Sequence, residues 1–151
     1  MRYRSTKRYD ELPCAHRQPG HPGHCRFIHG YSRAFKFWFE ASALDDNEFV
    51  VDFSALKALR GWLEHMFDHT MLINEDDPER ALFEEMHRRE ICDLRVLPNV
   101  SMEATAKYVF DHADAMIREQ TGGRAWVAKV EVAENRKNSA EYEREPGDEP
   151  T

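Results

Sequence analysis

Residues 26–43 read RFIHGYSRAFKFWFEASA, with Phe27, His29, Tyr31, Arg33, Phe35, Phe37 and Phe39 at every second position. Successive side chains of an extended chain leave opposite faces, so a period of two predicts a strand with two different faces. Upstream, Pro13, Pro19, Gly20, Pro22 and Gly23 mark a loop, because these residues favour turns over ladders. Before that loop, residues 2–12 alternate loosely and predict a first strand. Downstream, Asp45-Asp46-Asn47 ends the aromatic strand in a turn. Leu56, Leu59, Leu63 and Met66 then recur at helical spacing, with Asp52 or Ser54 as the N-cap.

Residues 76–95 are charged and irregular, which predicts a loop with a short helix around 80–88. A second main helix is expected over 102–120, with Ser101 as its cap and Gly122-Gly123 as its stop. Residues 125–133 alternate as a strand, and 139–143 as another. Two strands, two main helices and two strands make an α+β plan. One domain is expected over 1–144, followed by a flexible acidic tail at 145–151.

The length of 151 residues suits one domain with a modest core. A net charge of −7 argues against non-specific nucleic-acid binding and against an anionic membrane surface. It still permits a local basic pocket for a phosphorylated substrate. Cys14, Cys25 and Cys92 have no paired spacing, so a reducing cytoplasm is expected rather than a disulfide framework. Residues 1–5, MRYRS, open no apolar run, so no secretory signal is expected, and no stretch approaches the roughly 20 apolar residues that span a bilayer.

Four of the eight histidines lie in CAHRQPGHPGHCRFIHGY, residues 14–31. His16 lies just past the first strand, while His29 and Tyr31 leave the same face of the second. Two backbone segments can thus present ligands to one point, as a tetrahedral zinc site requires. The same histidines read equally well as exposed polar loop residues. Cys25, four residues before His29, is a candidate base or nucleophile if a cation favours its thiolate; Cys14 and Cys92 read as small buried apolar residues. Asp68-His69 closes the first helix, either as an oriented imidazole for proton transfer or as a histidine favoured by the helix dipole.

Four blocks in order resemble the 6-pyruvoyltetrahydropterin synthase family, and its 6-carboxytetrahydropterin synthase branch in particular. Residues 14–31 resemble the family's AAH…C-x-x-x-HGH block, and VVDFSALKALRGWLEHMFDHTMLIN its V-x-DF-x-x-LK…LDH-x-x-LN block. VSMEATAKYVFD is similar to its PT-x-E-x-x-A segment, and VAENRKNSAEY has the spacing of its closing stretch. The resemblance runs from His16 to Tyr142.

It implies the tunnelling fold, or T-fold: an antiparallel four-stranded sheet with two helices on one face. Subunits of that fold form homo-oligomers, commonly a hexamer of two trimers with active sites between subunits. By resemblance His16 and His29 are zinc ligands, Cys25 is the proton-abstracting base, and Asp68 and His69 complete the relay. Glu134 matches the glutamate that grips the pterin, and Glu103 with Ser101 would support it from an adjacent subunit. The implied reaction converts 7,8-dihydroneopterin triphosphate to 6-carboxy-5,6,7,8-tetrahydropterin, releasing triphosphate and acetaldehyde, on the route to queuosine. Two alternatives stand beside it: a pyruvoyl-type synthase on the same substrate, and a non-catalytic T-fold protein that binds a pterin or purine.

One position departs from the family. Its third zinc ligand is the second histidine of HGH, and here that position is Tyr31. A phenol with an unperturbed pKa near 10 binds zinc at greater cost than an imidazole. Tyr31 coordinates directly, or His21, His24 or a water fills the place, or the metal is lost.

Overall fold

The computed structural model describes residues 2–150. Met1 and Thr151, the outer ends of the expected domain and tail, lie outside the described residues. The predicted first strand is longer than its alternation suggested: β1 spans Arg4–His16 and pairs antiparallel with β2, His29–Ala41. The register slips between Tyr9 and Leu12, and Glu11 there has φ 62°. A bulge of this kind resets which residues face inward. It explains why the sequence period fades before the strand ends. Beyond it, Leu12, Cys14 and His16 stand opposite Arg33, Tyr31 and His29.

Asp52 accepts from the Ser54 amide at 2.9 Å and caps a short 3-10 turn, Phe53–Leu56, that leads into α1, Lys57–Phe67. The second half of the molecule begins with β3, Thr70–Asn74, then α2, Arg80–Arg88, and β4, Leu94–Leu97. The long helix α3 covers Met102–Gln120 and is followed by β5, Ala125–Ala133, and β6, Ser139–Glu143. Ser101 caps α3 by accepting from the Ala104 amide at 3.1 Å. At the other end Gly122 and Gly123 take φ of 62° and 83°, and the Gly123 amide donates to the Arg118 carbonyl at 2.8 Å. That left-handed turn is cheap only for glycine.

The α+β class holds, but the four-stranded antiparallel sheet with two helices needs correction. Among the described residues the sheet has six strands in the order β4-β3-β1-β2-β5-β6, and α2 is a third α-helix. β1, β2, β5 and β6 form the expected antiparallel set, while β3 joins β1 and β4 joins β3 in parallel. Every residue of β3 is buried, so it carries no alternation to read, and β4 is only four residues long. A short run buried throughout, with an apolar middle, cannot be told from a helix segment by period alone.

The core lies between the sheet and its helices. Phe35, Phe37 and Phe39 of β2 are fully buried with Leu59 and Leu63 of α1 and Val109, Ala113 and Ile117 of α3. Burying such side chains contributes roughly 1.5–3 kcal/mol each. The same face of β2 continues through Arg33, Tyr31 and His29 to the end of the sheet. The apolar core therefore runs directly into the polar cluster.

Candidate active site

Gly30 makes the approach of β1 and β2 close enough for a shared site. A Cβ there would lie 2.5 Å from the Cys14 carbonyl oxygen and 3.2 Å from the Ala15 Cα, so a side chain would push the strands apart. With glycine in place, the His16 and His29 rings are 4.5 Å apart between centroids, and Tyr31 is 5.8 Å from His29 and 6.3 Å from His16. The predicted convergence of two segments is realised, and Glu134, one residue beyond β5, joins it.

One donor atom from each of His16, His29 and Glu134 lies within 4.8 Å of the others. A set of two imidazoles and a carboxylate suits a divalent cation such as zinc. His29 is already oriented for it: its Nδ1 is 2.7 Å from the Phe27 carbonyl oxygen, so Nδ1–H donates and Nε2 keeps its lone pair. Metal-bound histidines are commonly held this way. His16 is buried. Burial first, then the Arg33 and His29 charges, push its pKa down from 6.5 to about 3, so the ring stays neutral. Tyr31 and Glu134 line one hollow, and the Glu134 carboxylate raises the phenol's pKa. A carboxylate beside it disfavours phenolate.

The remaining predicted residues surround this centre unevenly. Cys25 is half-buried on the single 3-10 turn His24–Arg26, near enough for its thiolate to raise the Tyr31 pKa. Asp68 Oδ1 and His69 Nδ1 are 2.6 Å apart. The adjacent residues do touch, because His69 takes φ 58° and turns back as its amide donates to the Pro13 carbonyl at 2.7 Å. His69 is 84% exposed and lines a shallow hollow with Tyr31 and Cys14. Ser101 serves as the cap of α3, and Glu103 stands exposed on its first turn.

Polar bonds tie the loop after β1 to the start of α3. Gln18 donates to Asn99 at 2.7 Å and accepts from Asn74 at 2.9 Å, and Asn74 accepts from the Val100 amide at 2.8 Å. Arg17 forms a two-pronged pair with Asp77 at 2.8 and 2.5 Å, which holds the Asp77 carboxyl below its usual range. Sequence reasoning missed one residue at the centre, Arg33. Its guanidinium is fully buried, with Nη2 2.7 Å from His16 Nδ1. The signal was present: a cation in phase with an otherwise aromatic face.

The model of the 6-pyruvoyl tetrahydropterin synthase family matches residues 5–145. The chain belongs to that family. Among curated synthases, a 6-carboxy-5,6,7,8-tetrahydropterin synthase from Rickettsia bellii is 33% identical over 70 residues, 46% of this chain and 51% of the relative. The match thus spans about half the length of that rickettsial protein. One of the same description from Aquifex aeolicus is 29% identical over 128 residues, 80% of this chain and 76% of the relative. In solved structures the fold is similar to an uncharacterized protein from Wolinella succinogenes, with TM-score 0.82 and 19% identity over 96% of this chain and 99% of the other. It is also similar to the Caenorhabditis elegans 6-pyruvoyl tetrahydropterin synthase, with TM-score 0.66 and 16% identity over 96% of this chain and 97% of that one. Among the described residues, no helix is long and apolar enough to cross a membrane.

Proposed function

We propose that this synthase-family chain is a 6-carboxytetrahydropterin synthase-type lyase. It would convert 7,8-dihydroneopterin triphosphate and water to 6-carboxy-5,6,7,8-tetrahydropterin, with release of triphosphate and acetaldehyde, in the queuosine pathway. The observation that carries this reading is the convergence of His16, His29 and Glu134 within a chain whose curated relatives are described as that synthase. His16 and His29 would hold zinc, which supplies Lewis acidity to a neighbouring substrate C–H. Cys25 would take the proton, and His69, oriented by its 2.6 Å bond to Asp68, would return one from the solvent side. The Glu134 carboxylate would accept the amino and ring N–H groups of the pterin.

Ser101 and Glu103 would meet the pterin from an adjacent subunit of a homohexamer of two trimers; the exposure of Glu103 suits contact with a second chain. Three free thiols suit a cytoplasmic enzyme. The place of Glu134 beside both histidines and in one hollow with Tyr31 favours a second reading for the third ligand. In it Glu134 takes the place of the missing imidazole, and Tyr31 donates to the carboxylate instead of coordinating.

The test is incubation of the zinc-loaded protein with 7,8-dihydroneopterin triphosphate, measuring triphosphate, acetaldehyde and the pterin product. Equimolar triphosphate and acetaldehyde support the proposal. A product that retains the three-carbon side chain moves the chain to the pyruvoyl type. Tight pterin binding with neither release identifies a binding protein.

A further inference from the structure

Arg33 is fully buried, and neither its Nε nor its Nη1 has a hydrogen-bond partner among the described residues. Leaving a guanidinium so poorly satisfied is costly, since buried charges ordinarily occur paired. Its one contact is Nη2 to His16 Nδ1 at 2.7 Å. A guanidinium has five donors and no acceptor, so His16 Nδ1 must accept. The neutral ring then carries its proton on Nε2.

This has a direct consequence for a cation. The lone pair of Nδ1 is occupied by the Arg33 donor, and Nε2 presents N–H. Whichever nitrogen faces the centre, His16 offers no free lone pair while the contact lasts. His29 is arranged the opposite way, with a carbonyl oxygen behind Nδ1 at 2.7 Å and Nε2 free. Two histidines 4.5 Å apart are therefore set to opposite hydrogen-bonding roles by their neighbours. A metal ligand normally has an acceptor behind its second nitrogen; His16 has a cation.

We propose that Arg33 is a positioning residue that holds His16 in the Nε2–H form, so that a divalent cation binds only when the Arg33–His16 contact is broken. The proposal rests on the reading that His16 and His29 hold a cation, and it names the side chain that governs access to that state. Until the contact breaks, His16 serves the centre as a hydrogen-bond donor, and His29 and Glu134 are the groups with free lone pairs. Arg33 adds charge repulsion against any cation that enters.

Two measurements test it. Multiple-bond proton–nitrogen NMR on the metal-free, nitrogen-labelled protein reads the His16 tautomer directly, with His16→Asn identifying the signals. Zinc affinity of the parent and of Arg33→Met, by competition with a chromophoric chelator, reads the consequence. The parent should carry the His16 proton on Nε2, and Arg33→Met should bind zinc more tightly by about 10–100-fold, the usual weight of a group next to a ligand. A parent with its proton on Nδ1 overturns the proposal. So does an Arg33→Met chain that binds zinc no better than the parent, including the case where neither binds. The tautomer is read on the parent, so that result stands even if the variant does not fold. Failure of the lyase reading would instead appear in the parent's pterin binding and triphosphate release.

Discussion

Acidifying the metal-free protein from pH 7 to pH 5 should cost about 2 kcal/mol of folding stability through His16 alone. Burial, Arg33 and His29 lower its pKa from 6.5 to about 3. Between those values the unfolded chain binds a proton that the folded chain refuses. Stability from this group is therefore complete above pH 6.5 and is lost as pH falls towards 3, at about 1.4 kcal/mol per unit in the linear range. The loss to pH 5 barely depends on the folded value: anywhere from about 2 to 4 leaves the ring neutral there. The assay is urea denaturation at several pH values with chelator present, comparing the parent with His16→Asn, whose amide oxygen can accept the Arg33 N–H. His112, also lowered by burial, titrates in both proteins and cancels in the difference. Asp77 is lowered as a carboxyl from 3.8, so its loss falls at more acid pH. Identical pH slopes for the two proteins would refute the reasoning.

Gly30→Ala should cost about 1–3 kcal/mol by overpacking, since the new methyl meets backbone 2.5 Å away. Gly61→Ala, exposed on α1 with nothing within 4 Å, should stabilise by about 0.5–1 kcal/mol; urea denaturation reads both. Cys25→Ala should abolish triphosphate release while leaving folding and pterin binding nearly intact, and Cys92→Ala should leave the rate alone; equal rates would remove Cys25 as the base. Glu134→Gln should weaken pterin binding by about 1.5–3 kcal/mol through loss of a charge-assisted bond, read by equilibrium titration. Tyr31→Phe separates the two readings of the third ligand. A large loss of zinc affinity supports direct coordination, whereas a small one leaves Tyr31 as the donor that orients Glu134.

How much of the molecule is legible in sequence depends on whether its signal is local. The aromatic alternation of β2, the leucine spacing of α1 and the Ser101 cap with the Gly122-Gly123 stop are all local patterns, and each formed the element it announced. The same stretch placed His29 and Tyr31 on one face and His16 at the neighbouring strand's end, and the four family blocks led to the family that the chain belongs to. β3 and β4 escaped because parallel pairing to distant strands buries a five-residue run on both sides, and no period survives such burial. The sequence of β1 gave no warning of the Tyr9–Leu12 bulge, which exists only in relation to its partner strand.

The site divides along the same line. Residue types and spacing singled out the histidines, Cys25 and Asp68, and the family resemblance added Glu103 and Glu134. Tertiary structure alone decided that Glu134 arrives beside the two histidines, that it shares a hollow with Tyr31, and that Arg33 stands behind His16. Those three facts set the lone pairs and charges of the centre. The Arg33 contact depends on the pairing of β1 with β2 and the arrival of Glu134 on the pairing of β2 with β5, more than 80 residues on; hydrogen-bond direction is a property of the neighbour a side chain meets, not of the residue itself.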